Sequence, residues 1–125
     1  MSGKQGMDSI PKRPAYARIK LTLHTQERFF GAGICELLEK IQQTGSIQAA
    51  SKEMEMSYTK AWKILNRAEK EMNRNLITRV NGGKNGGSST LTEEGLQAVR
   101  DYREMEAKLS EEADELLRKY ESSFT

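Results

Sequence analysis

Residues 76–91 read LITRVNGGKNGGSSTL, two short extended-looking runs, Leu76 to Val80 and Ser89 to Leu91, around Gly82, Gly83, Gly86, Gly87 and a single cation, Lys84. Four of the chain's ten glycines are spent on this one loop in an otherwise charged and helix-prone sequence. Three things need so much backbone freedom around a cation: a phosphate-cradling enzyme loop, a linker, or a hairpin tip offered to a polyanion. An ATP-binding P-loop does not fit, because GGKNGGS lacks the Gly-Lys-Ser/Thr order and a strand signal follows it instead of a helix. Gly31-Ala32-Gly33 likewise lacks the third glycine of a dinucleotide fingerprint.

What precedes the loop narrows the choice. Ile34, Leu37, Leu38 and Ile41 recur at helical spacing and the run stops at Gly45, a helix terminator. Phe29 and Phe30 are expected to pack beneath this helix. Ser46 can cap a short helix, SIQAASKEM, whose Ala49 and Ala50 let another helix approach closely. After a tight turn through Glu55 and Met56, Ser57 can cap again and open YTKAWKILNRAEKEM, with an inward stripe of Ala61, Leu65, Ala68 and Met72. Upstream, ARIKLTL within Ala15 to Leu23 alternates with Ile19, Leu21 and Leu23 on one face, which predicts a half-buried strand.

Two capped helices followed at once by strand, glycine loop and strand make the outline of a winged helix-turn-helix. Tyr58, Thr59, Lys63, Asn66, Arg67 and Lys70 then face outward, and the glycine loop becomes a wing whose tip can lie against a phosphate. From Ser57 to Lys84 there are seven Lys and Arg against two Glu. Base reading is expected of Tyr58, Thr59, Lys63 and Asn66. Phosphate positioning is expected of Lys60, Arg67, Arg79 and Lys84, with Asn85 beside Lys84 at the wing tip. Trp62 sits at the edge of the inward stripe, where it can pack under the wing or lie against sugar and phosphate.

Beyond the wing, Thr92 can cap a long helix with Glu93 and Glu94 in its first turn, where the helix dipole favours anions. Ala98, Tyr102, Met105, Leu109, Ala113, Leu116 and Tyr120 recur along it at helical steps. Such a seam needs a partner, and the residues from Tyr102 to Tyr120 are the expected dimer interface. Charge divides along the same line: residues 1–90 carry 15 Lys and Arg against 8 Asp and Glu, residues 91–125 carry 5 against 10. A basic body facing a polyanion, with an acidic tail doing something else, fits that asymmetry.

The fold class expected is therefore mainly α with a small β wing: an N-terminal tail over residues 1–14, a winged helix-turn-helix over 15–91, and a dimerisation helix over 92–125. Catalysis and metal binding find no support. His24 is the lone histidine, Cys35 the lone cysteine, and neither has companions at ligand or triad spacing. Cys35, inside ICELL, is read as a buried small hydrophobe. No stretch resembles a signal peptide or a bilayer span, so a cytoplasmic protein without cofactor is expected.

ARIKLTL, GSIQAASKEMEMSYTKAWKILNRAEKEMN, LITRVNGGKNGG and LTEEG together resemble the N-terminal DNA-binding domain of the molybdate-responsive transcription regulator (ModE) family, itself similar to the winged helix-turn-helix of LysR-type regulators. The similarity covers most of residues 15 to 105, and Ser-Tyr-x-x-Ala-Trp and Gly-Gly-Lys-x-Gly-Gly are its most specific parts. It implies a bacterial or archaeal dimeric regulator, with Ser57, Tyr58, Thr59, Lys60 and Lys63 at the start of the recognition helix. Arg79 falls where LysR-like domains carry an arginine before the wing. Full-length members of that family continue into oxyanion-binding domains, whereas this sequence stops at Thr125, so molybdate sensing is not expected to carry over. The expected function is sequence-specific DNA binding by a homodimer. A winged-helix module that holds another protein is the alternative, with the acidic tail as its docking arm.

Overall fold

The computed structural model describes residues 14–80 and 88–124, which fall into two compact units. In the larger, Lys20–Lys108, strands β1 (Leu23–His24) and β2 (Arg28–Phe30) form a short antiparallel hairpin. Helices α1 (Ala32–Thr44), α2 (Ile47–Glu53) and α3 (Tyr58–Met72) follow, then strands β3 (Ile77–Val80) and β4 (Ser88–Leu91), and finally helix α4, Glu93–Tyr120.

Helix ends lie where the capping chemistry puts them. Gly45 takes a left-handed φ of 76° after α1, and its N–H closes on the Ile41 carbonyl at 2.7 Å. Ser46 Oγ accepts from Ala49 N, Ser57 Oγ from Lys60 N and Thr92 Oγ1 from Gly95 N, all at 3.0–3.1 Å. The α2–α3 turn passes through Glu55 in the left-handed region, while Met56 N–H reaches back to the Ser51 carbonyl. Ser46, Ser57 and Thr92 each supply a side-chain acceptor for an N–H that the first helical turn leaves without a partner.

Three helices close one core. Leu37, Leu38 and Ile41 of α1 meet Ala50 of α2 and the Ala61, Leu65, Ala68 stripe of α3, all with no solvent exposure. Burying each leucine contributes about 2 kcal/mol, and the alanines keep the helix axes close enough for that contact. Cys35 is fully buried among them, and desolvation pushes its thiol pKa up to about 11. It packs as a hydrophobe and stays protonated at neutral pH.

Strands β3 and β4 pair antiparallel from Ile77↔Leu91 to Val80↔Ser88. The hairpin's return strand is tied to the end of α1: Ser89 N donates to the Gly45 carbonyl at 2.8 Å and Leu91 N to Gln42 Oε1 at 3.2 Å. At the start of α4, Gly95 is buried, and a Cβ there would run into the Leu76 carbonyl. Only glycine lets the helix begin that close to β3.

Two expectations need correction. ARIKLTL is not a strand: residues 14–22 have no regular structure, and pairing starts only at Leu23. The Leu21 carbonyl accepts a hydrogen bond from Tyr102 Oη at 2.8 Å, while Thr22 Oγ1 lies 2.9 Å from His24 Nε2. Alternation prepares a segment for a ladder but supplies no partner strand, and here a side chain takes the carbonyl instead. Phe30 is buried as expected, and Phe29 is partly buried against the core.

The second correction concerns Tyr102, which is only 2% exposed within its own chain. Its ring tilts against Phe30 with centroids 5.3 Å apart, and burial raises its phenol pKa so that the hydroxyl remains a donor. Tyr102 therefore belongs to the core of this chain, and the exposed apolar residues of α4 begin after it, at Met105. Beside it Arg103 makes a forked pair with Glu39 at 2.8 and 3.1 Å.

The smaller unit comprises residues up to Ile19 together with Leu109 onward. Ala17 N donates to Asp114 Oδ1 at 3.4 Å, and a 3-10 turn, Glu121–Ser123, follows the helix. Tyr16, Leu109, Leu116, Tyr120 and Phe124 are exposed there. No helix among the described residues is long and apolar enough to cross a membrane.

Candidate nucleic-acid interface

With Ala61, Leu65 and Ala68 turned inward, the 100° step of the helix puts Thr59, Lys63, Asn66 and Lys70 on the opposite side of α3, and all four are exposed. Ser57, Tyr58, Lys60 and Arg67 are exposed as well. Ser57 Oγ serves as the cap acceptor, which leaves its hydroxyl proton free to donate.

The flank toward β3 is ordered by an aromatic and cationic stack. Tyr58 meets Trp62 edge-on at 6.0 Å, and the Arg79 guanidinium lies over the Trp62 ring, 4.1 Å from its centroid. Trp62, left open by the sequence, thus packs against the base of the β3–β4 hairpin. Glu69 completes the arrangement: its Oε2 accepts from Leu76 N at 2.8 Å and its Oε1 lies 3.4 Å from Arg79 Nη2. This single carboxylate joins α3 to the first residues of the hairpin. Sequence reasoning missed it, since a glutamate on a charged helix looks like any solvated one. The tight reversal at Asn73, in the left-handed region, was the available signal that residues 69 and 76 come together.

Arg67 has a partner that the sequence did not suggest. Glu27, in the turn between β1 and β2, holds Arg67 Nη1 at 2.6 Å. Thr25 in the same turn donates to Glu71 Oε1 at 2.5 Å. By contrast, among the described residues no carboxylate lies within ion-pair distance of Arg28, Lys60, Lys63 or Lys70. Lys84 and Asn85 lie outside the described residues.

Exposed hydroxyl, amide and cationic groups on one helix, with a stacked arginine at the base of an adjoining hairpin, can offer directional donors to base edges and charge to phosphates. The described residues contain no cluster of metal-ligating side chains.

Residues 35–96 match the family described as bacterial regulatory helix-turn-helix protein, lysR family. This chain carries a ModE-like winged helix-turn-helix domain. It is 37% identical over 90 residues to the molybdenum transport protein ModE of Herbaspirillum seropedicae, a match covering 72% of this chain and 32% of that protein. With the transcriptional regulator ModE of Haemophilus influenzae it shares 43% identity over 75 residues, 59% of this chain and 29% of the relative. The DNA-binding transcriptional dual regulator ModE of Escherichia coli is 32% identical over 102 residues, 81% of this chain and 38% of the relative. The ModE-like chain thus spans about a third of the length of the curated relatives it matches.

Proposed function

We propose that this ModE-like chain is a DNA-binding transcriptional regulator, not an enzyme, and that it acts as a homodimer. The observation that carries this is the outer face of α3, where Lys63 and Lys70 stand without acidic partners among the described residues, beside Thr59 and Asn66. Unneutralised cations on an ordered helix cost little in water and gain strongly from a polyanion through counterion release. In a major groove Tyr58, Thr59, Lys63 and Asn66 read base edges, while Lys60, Arg67, Arg79 and the wing-tip residues Lys84 and Asn85 position phosphates.

Dimerisation uses α4, where Met105, Leu109, Leu116 and Tyr120 are exposed apolar side chains on a helix otherwise rich in charge, and Ala113 between them is half-buried. Two recognition helices then face successive major grooves about 34 Å apart, and the operator is roughly palindromic. DNA binding of this kind needs no oxyanion, so added molybdate should leave the affinity unchanged.

The test is duplex binding by fluorescence anisotropy across salt concentrations. Lys84→Ala should weaken binding to all duplexes alike and reduce the salt slope by about 0.9, one phosphate's worth. Lys63→Ala should instead relax discrimination at one base position by about 1–3 kcal/mol. If Lys63→Ala leaves the sequence preference intact, α3 is not the reading element.

A further inference from the structure

Helix α3 is flanked by hairpins on both sides. One flank, Trp62 and Glu69, holds β3 through Arg79 and Leu76; the other, Arg67 and Glu71, holds the β1–β2 turn through Glu27 and Thr25. Between α3 and the segment running from β2 into α1 lies an open cleft of about 740 Å³. Phe29 and Ile64 contribute to its apolar lining, and Arg28, Lys60, Lys63 and Arg67 contribute cations. Among the described residues, three of those four cations have no carboxylate within ion-pair distance, and the fourth already grips an oxyanion, the carboxylate of Glu27.

A helix lying in a major groove has a sugar–phosphate backbone on each side of it. The β3–β4 hairpin serves one side. We infer that the cleft on the other side seats the second backbone, with Arg28 as its principal phosphate ligand and the β1–β2 hairpin as a second clamp. The apolar side chains of the cleft suit deoxyribose, and Arg28, Lys60 and Arg67 suit the phosphates that flank it. Lys63 and Asn66 belong both to the cleft lining and to the outer face of α3, so an occupant of the cleft is continuous with a body lying along the helix. That continuity favours a duplex over a small organic anion. Glu27 occupies Arg67 in the free protein, and a phosphate arriving in the cleft competes with it for the guanidinium.

The inference rests on the DNA-binding function proposed above, and its test separates the two. Arg28→Ala, Arg28→Lys and Glu27→Gln in the full chain are compared with the parent for duplex affinity between 50 and 200 mM salt, with circular dichroism melts run alongside. For Arg28→Ala we expect weaker binding to every duplex, unchanged sequence preference, and an affinity loss over that salt range roughly 3.5-fold smaller than the parent's. Arg28→Lys should restore the slope, and Glu27→Gln should tighten binding to all duplexes by freeing Arg67. Ethylation of backbone phosphates should reveal a phosphate essential to the parent but not to Arg28→Ala. If the parent binds duplexes and Arg28→Ala matches it in affinity and slope, the second clamp is overturned while DNA binding stands. Displacement of DNA by millimolar benzoate at constant ionic strength, abolished by Arg28→Ala, would overturn it in favour of a small-anion site. A parent chain that binds no duplex removes both.

Discussion

At the scale of the residue, the described charges divide into those held by partners and those left free. Glu39 belongs to the first kind: hydrogen bonding to Arg103 holds its carboxyl below the usual glutamate range, against the opposing effect of burial. Because the folded pKa is the lower one, the stability this pair supplies is present above the unfolded pKa of about 4.3 and is lost as pH falls through the folded value. Glu39→Gln should therefore be less stable than the parent at pH 7, and the difference should narrow below about pH 4. Urea unfolding midpoints at pH 7 and pH 3 check this. A constant difference between the two would mean the forked pair does not set Glu39's titration. Lys60, Lys63 and Arg28 belong to the second kind, and their lack of partners is what a polyanion can use.

Among the elements, the β3–β4 hairpin depends on the end of α1 as much as on its own ladder. Gly45 terminates α1 with φ at 76° and also accepts from Ser89 N. A β-carbon in the left-handed region costs about 1–2 kcal/mol, so Gly45→Ala should lower the unfolding free energy by roughly that amount. It should also speed amide exchange at Ser89, whose acceptor would be displaced. Hydrogen exchange that changes only within α1 would separate the helix terminator from the hairpin. At α4, Gly95 sits against the Leu76 carbonyl, and any side chain would push the helix off β3.

For the whole molecule, the expected dimer rests on the exposed apolar residues of α4 beyond Tyr102. Leu109→Glu or Leu116→Glu should give monomers by sedimentation velocity, with normal circular dichroism and weak half-site binding, since a charge in a paired helical seam must be desolvated. A sedimentation coefficient unchanged from the parent's would take the seam out of consideration. Combining Leu116→Glu with Lys84→Ala should then reduce affinity by the product of the two separate losses, because one change acts on pairing of the chains and the other on a phosphate contact.

The sequence by itself determined the local plan: three Ser and Thr caps, the Gly45 stop, the inward stripe of α3, and the two extended runs around the glycine loop. These are cues read within one or two helical turns, where chain connectivity already fixes which groups can meet. The tertiary structure decided everything that needed a distant partner. Arg67 and Glu27 are 40 residues apart, and Tyr102 reaches a carbonyl 81 residues away. No local pattern distinguishes a tyrosine that fills its own core from one that faces a second chain, nor an alternating segment that finds a ladder from one whose carbonyl goes to a phenol. Helical spacing supplied the faces of α3, and only packing chose which flank each hairpin would hold.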